Sequence, residues 1–191
     1  MQACRIAAEE LACRRGDRLL LRGLTFALAP GDALHLRGAN GIGKSSVLRI
    51  VAGLLAPFAG RIERSGAVGL VDERPALDPH LPLARALAFW GRIDGRTGPL
   101  VEVGLERLAD VPVRYLSTGQ RKRAAFARLI GQDAPLWLLD EPLNGLDAEG
   151  TALIENLIAA HRAAGGIALV ASHQPITLHG VQTIDLAGYA A

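Results

Sequence analysis

Gly38-Ala39-Asn40-Gly41-Ile42-Gly43-Lys44-Ser45-Ser46 is the stretch on which the fold turns. It fits the pattern G-x-x-x-x-G-K-S, and its flanks decide how that pattern is read. Upstream, Ala33–Arg37 alternates like a short strand. Downstream, Val47, Leu48, Val51, Leu54 and Leu55 recur at helical spacing. Strand, glycine-rich loop and helix in that order predict a phosphate cradle. Glycines let backbone N–H groups wrap a phosphate chain, and the helix N-terminus adds partial positive charge. Lys44 is expected to reach the β- and γ-phosphates of a nucleotide, and the Ser45 hydroxyl to ligate Mg²⁺.

A second nucleotide motif lies about a hundred residues further on. The apolar run 136–139 ends in Asp140-Glu141-Pro142, as a buried parallel strand delivers acids to a sheet edge. Asp140 is expected to hold Mg²⁺ directly or through water, and Glu141 to orient and partly deprotonate an attacking water. Between and around the two motifs, strands are predicted at 18–21 and 24–28, set off by Gly16-Asp17 and Pro30-Gly31-Asp32 turns, and near 61–64 and 67–71. Residues 72–82, rich in charge and proline, read as a loop. Helical patterns cover 83–92, 99–109 and a segment from Leu116-Ser117 to about 130, so 78–132 is expected to be a helical subdomain inserted in the α/β core of a single domain spanning 1–191. A helix with Leu153, Ile154, Leu157 and Ile158 on one face, a strand at 167–171 ending in Ser172-His173, and a short strand at 183–186 complete the reading.

The bulk composition narrows the function classes. A chain of 191 residues, 50% hydrophobic, can bury one good core and is not disordered. Twenty-one basic against 19 acidic residues leave a net charge of +2, so no nucleic-acid partner is expected. The longest uncharged apolar stretches, 50–60 and 163–172, fall short of the ~20 residues that span a bilayer. Arg5, Glu9 and Glu10 stand where a secretory leader needs an apolar run. Cys4 and Cys13 fit a reducing compartment and read as small core residues. Only Lys44 and Lys122 are lysines among the basic residues; Lys122, between two arginines, reads as a surface charge.

Leu116-Ser117-Thr118-Gly119-Gln120, followed by Arg121-Lys122-Arg123, resembles the signature sequence of ABC ATPases. The order of loop, signature, acidic strand and downstream histidine is also theirs. The resemblance implies an α/β P-loop NTPase of ABC ATPase type, with a parallel-sheet core, N-terminal antiparallel strands and the inserted helical subdomain. It implies ATP and Mg²⁺ as ligands, and a homodimer or paired nucleotide-binding domains. Each ATP would then lie between residues 38–46 of one chain and the signature, 116–120, of the other. Asn144-Gly145-Leu146-Asp147 resembles the family's D-loop, with Asp147 its acid, and His173 matches the switch histidine that contacts the γ-phosphate. Two features depart from the pattern. The aromatic that stacks on adenine falls near Arg14 or Arg15, where a guanidinium plane is available instead. The Q-loop glutamine falls at Arg74, which has no oxygen to offer a metal; Glu73 or Asp72 substitutes, or water completes the shell.

Within the ABC ATPases, several stretches are most similar to the ATP-binding subunit of bacterial cytochrome c maturation systems, the haem-exporter type. They are Ala76-Leu77-Asp78-Pro79 leading to Ala88-Phe89-Trp90, the run 134–142, Ser172-His173-Gln174 and the basic turn 14–18. That resemblance implies membrane-spanning partner subunits and a peripheral place on the cytoplasmic face of the bacterial inner membrane. ATP hydrolysis would be coupled to haem export or cytochrome c assembly, although no haem-ligand pattern occurs in the sequence. The ATPase of another exporter, for lipoproteins, drugs or small molecules, and a soluble non-transport ABC ATPase are the alternatives.

Overall fold

Two eleven-residue strands, β1 (Arg5–Arg15) and β2 (Arg18–Leu28), run antiparallel in the computed structural model, which describes residues 4–191. The other edge of β1 pairs with β4 (Ala59–Ser65), giving a small antiparallel sheet of order β2-β1-β4. The expected break at Arg22-Gly23 is absent, and β2 is one strand. Its register against β1 shifts three times, and Gly23 (φ 75) and Glu10 (φ 48) take left-handed backbone near the irregularity. A bulge absorbs the extra residue and keeps the strand continuous.

The second sheet is wholly parallel, in the order β5-β6-β7-β3-β8. Its strands are β3 (Ala33–Arg37), β5 (Val68–Val71), β6 (Leu136–Asp140), β7 (Ile167–Ser172) and β8 (Gln182–Asp185). Both faces are covered, so its central strands are largely apolar, with His35 of β3 buried against the Ser172 carbonyl. Leu136 and Leu138 join the core shared with β1, β2 and the first helix, whereas Trp137 and Leu139 join the core under the remaining helices. Strand β7 divides in the same way, Leu169 to one side and Val170 to the other. Period-two alternation thus sorts residues between two cores rather than between core and water.

Helices α1 (Lys44–Ala52), α3 (Thr118–Gln132) and α4 (Ala148–Ala163) pack on this sheet, and α2 (Leu83–Asp94) packs on α3. Helix α1 stops sooner than its apolar spacing suggests. Gly53 takes a left-handed C-cap, which leaves Leu54 (69% exposed) and Leu55 beyond the helix. The helical pattern at 99–109 is also not a helix. Short 3-10 turns stand there, Val101–Val103 and Glu106–Leu108, and a third follows at Val113–Tyr115. Left-handed Gly104 ends the first turn, and Gly98 runs so close to α3 that a Cβ on it would lie 2.1 Å from the Ala127 carbonyl oxygen. Contact with α3, not i→i+4 bonding, shapes the segment. Strand β8 stops at Asp185, and a 3-10 turn, Leu186–Tyr189, follows where one more strand residue was expected. Among the described residues, no helix is long and apolar enough to cross a membrane.

Candidate functional site

Strand β3 delivers the chain into a loop whose three glycines all take positive φ: Gly38 at 152°, Gly41 at 82° and Gly43 at 121°. A side chain on Gly43 would also crowd Leu21, whose Cδ2 lies 3.1 Å from the would-be Cβ. Helix α1 begins at once with no side-chain cap, unlike α3 and α4, so its first-turn amides keep no local side-chain acceptor. Lys44 is almost fully buried and folds back over the loop. Its ammonium donates to the carbonyls of Gly38 at 2.8 Å and Ala39 at 3.3 Å. A ring of amides with one cation inside it suits a polyphosphate.

The loop and the acidic strand end meet. Lys44 Nζ lies 3.3 Å from Glu141 Oε1, both side chains nearly buried. Glu141 itself takes left-handed backbone, φ 45, immediately past β6, while its N–H donates to Ala171 at 2.8 Å. His173, just past the end of neighbouring β7, closes the other side. Its Nδ1 lies 2.9 Å from Glu141 Oε2, and its backbone N–H donates to Oε1 at 3.2 Å. Burial alone would raise the Glu141 carboxyl; the His173 hydrogen bond and the Lys44 charge outweigh it and hold the group below its ordinary range. Asp140 goes the other way. Burial pushes its carboxyl up, against a lowering hydrogen bond from Ser45. Adjacent acids therefore differ: Glu141 is held ionised, and Asp140 is buried with an oxygen to spare.

That spare oxygen is Asp140 Oδ1, which is inaccessible and without a hydrogen-bond partner. A buried acceptor left orphaned costs on the order of 1–3 kcal/mol. Next to the Ser45 hydroxyl it fits the hard oxygen donors that Mg²⁺ takes from protein when phosphates complete its shell.

The residues 116–120 form a different kind of corner. Ser117 caps α3 in a reciprocal box: its Oγ accepts from Gln120 N–H at 3.2 Å, and Gln120 Oε1 accepts from Ser117 N–H at 2.8 Å. The Ser117 hydroxyl proton remains free to donate outward, and the residue is exposed. Leu116 is buried beneath it and anchors the turn. Gly119 packs on the 144–147 loop so closely that a Cβ would sit 2.9 Å from the Gly145 carbonyl oxygen. Asp147 caps α4 through Gly150 N–H at 2.8 Å. These two segments therefore touch within one chain.

Both departures from the family pattern have a visible place. The Arg14 guanidinium lies 5.1 Å from the Phe58 ring centroid, a cation–π stack on an exposed face. Arg74 is exposed and lines a groove with Pro75, Ala76 and Arg128, whereas Asp72 and Glu73 face a cavity of about 280 Å³ that Glu141 also borders. Lys122 borders it too. The expectation of a surface charge there is wrong, for Lys122 is only 9% exposed. Flanking arginines make 121–123 look solvated in sequence. A helix face, which groups residues three and four apart, turns Lys122 inward with Ala125 and Phe126.

Comparison with known proteins agrees with this geometry. The ABC transporter family profile matches residues 21–144, more than half of the chain. The cytochrome c biogenesis ATP-binding export protein CcmA of Novosphingobium aromaticivorans is 58% identical over 99% of this chain and 99% of its own length. The protein of the same name from Rhodospirillum rubrum is 44% identical over 96% of the chain and 86% of its length. Among solved structures, cbiO1 of Clostridium perfringens, part of the ABC transporter complex cbiONQ, superposes with a TM-score of 0.72 at 27% identity. That match covers 88% of this chain and 78% of cbiO1. An ATP-binding cassette of an ABC transporter in its ADP conformation shares the fold, with a TM-score of 0.73 at 21% identity, over 92% of this chain and 83% of its own.

Proposed function

The chain belongs to the ABC transporter family of ATP-binding proteins, and we propose that it is the ATPase subunit of a cytochrome c biogenesis export complex. The observation that carries the ATPase chemistry is the convergence of Lys44, Glu141 and His173 at the open end of the parallel sheet, beside an uncapped helix start. The cytochrome c assignment follows the names of whole-length relatives.

The residues divide the work. Amides of residues 38–46 cradle the phosphates, and Lys44 exchanges its two carbonyl partners for phosphate oxygens. Ser45 and Asp140 would hold Mg²⁺, which would offset the charge of the phosphates. Glu141, ionised and steered by His173, takes the proton of the attacking water. Ser117 and Gly119 present donors to a nucleotide held by a second copy, with Asp147 beside the same junction. The closed pair is a state that nucleotide favours, and hydrolysis releases it. Membrane-spanning subunits would seat the chain on the cytoplasmic face of the inner membrane.

Glu141→Gln tests the enzymology: it should bind ATP, lose turnover and elute as an ATP-dependent dimer on size exclusion. A variant that stays monomeric at saturating ATP counts against the paired site. Lys44→Ala tests the pathway when it is the only copy a cell expresses. Haem-stained c-type cytochromes should disappear, and wild-type amounts would remove the cytochrome c assignment.

A further inference from the structure

Lys122 has no task in the mechanism above, yet its surroundings are specific. It projects from α3, two residues past the signature, into the cavity that Asp72, Glu73, Glu141, Asn144 and Thr118 border; Arg121 borders it too, but its guanidinium donates to the Leu116 carbonyl and the Thr118 hydroxyl. It is over nine-tenths buried. Among the described residues its ammonium makes no hydrogen bond and no close ion pair. Burial lowers its pKa, and the negative charges of Asp140, Glu73, Asp72 and Glu141, in that order, oppose the shift.

A mostly buried cation without counter-charge is costly, and so are three carboxylates, Asp72, Glu73 and Glu141, around one small cavity. Here each offsets the other, and the carboxylates come from two segments that face the helix. Asp72 and Glu73 lie on the loop after β5, and Asp140 and Glu141 at the end of β6. With Arg121 engaged by its own helix turn, the Lys122 ammonium is the common element. We propose that Lys122 is a positioning residue, a buried counter-charge that ties the start of the signature helix to the acidic loop after β5 and to the hydrolytic carboxylates. The link to hydrolysis rests on the ATPase reading above; the tie between helix and loop does not. It gives this chain, whose loop carries Asp72-Glu73-Arg74, an electrostatic connection between those segments.

The test compares the full chain with three variants, free of nucleotide, by amide hydrogen exchange over residues 72–76. Lys122→Met keeps the aliphatic stem and removes the charge, and should speed exchange of those amides by about tenfold or more. Lys122→Arg should bring exchange back to within about threefold of wild type, because the charge is restored. Asp72→Asn with Glu73→Gln, on the more accessible loop, should speed the same amides, and adding Lys122→Met should give no further gain. In turnover assays Lys122→Met should lower kcat by about tenfold with KM within about threefold, since the cradle is untouched. Wild-type exchange in Lys122→Met would overturn the proposal. So would failure of arginine to restore it, or additive effects of loop and lysine changes; if Lys122→Met does not fold, Lys122→Arg and the loop variant decide by the same readout. Binding of a fluorescent ATP analogue to Lys44→Ala separates the two ideas: retained binding sinks the ATPase reading and leaves the exchange result standing. Lost binding alongside wild-type exchange in Lys122→Met sinks this inference alone.

Discussion

Removing the Lys44 ammonium should destabilise the nucleotide-free chain, apart from any effect on catalysis. The ammonium lies 3.3 Å from Glu141, and the two side chains are only 6% and 11% exposed. At an effective dielectric near 20, unit charges at that separation attract by roughly 5 kcal/mol, before the cost of desolvating both. Deleting one partner of such a pair leaves the other buried and unpaired, which typically costs about 3–5 kcal/mol. Glu141 retains His173 at 2.9 Å, so the low end applies: Lys44→Met should lose about 3 kcal/mol. Glu141→Gln should lose less, about 1–2 kcal/mol, because the amide oxygen still accepts and Lys44 keeps its two carbonyls. The double variant should fall short of the sum by at least about 1 kcal/mol. Urea unfolding of the four proteins, stripped of nucleotide and compared at constant m-value, measures the cycle. Full additivity, or a Lys44→Met midpoint equal to wild type, would refute the claim that this pair is coupled in the resting site.

Asp140→Asn should do the opposite. Burial raises the Asp140 pKa above 3.8, so the folded chain holds its proton longer than the unfolded one. Stability therefore falls as pH climbs from about that value through the raised one. The amide should remove that slope and raise nucleotide-free stability at neutral pH by about 1 kcal/mol while abolishing Mg²⁺-dependent hydrolysis, seen by thermal melts and phosphate release. His161 gives a slope on the acid side. Burial depresses its pKa below 6.5 despite the bond to the Pro135 carbonyl. The unfolded chain takes up a proton there first, and stability falls as pH drops through 6.5. His161→Gln should flatten that fall, read from melts at a series of pH values. Gly60→Ala should cost at least about 3 kcal/mol, because φ is 79 and a Cβ would stand 2.3 Å from the Glu10 carbonyl oxygen. Wild-type unfolding of that variant would mean that β1 and β4 are not so closely apposed.

The cradle was readable in sequence because a strand, a glycine loop and a helix each signal locally and agree. The acidic strand was equally plain, since β6 is apolar on both faces up to Asp140. Misreadings fall where tertiary contact or a local stop overrides the spacing of apolar residues. Residues 99–109 have helical spacing, but α3 crowds Gly98 and Gly104 ends the turn. Leu54 and Leu55 continue the α1 pattern, but Gly53 stops the helix first. Lys122 looked solvated because charge in a linear string says nothing of which helix face meets the sheet. The contact of His173 with Glu141, 32 positions apart, depends on β6 and β7 lying side by side. In sequence His173 is set against a γ-phosphate, not against Glu141, and the sheet order brings the two side chains together.

Trp90 sits at a joint. Its indole N–H donates to the Ala76 carbonyl on the loop after β5, and the Arg128 guanidinium of α3 lies 3.7 Å from its ring centroid. Loop, α2 and α3 are thereby gathered on one chromophore, while the second tryptophan, Trp137, is sealed against Phe126 and His161. The chain thus carries an intrinsic fluorescent gauge: a change in emission when nucleotide is added reports that joint opening or tightening, without any dye attached.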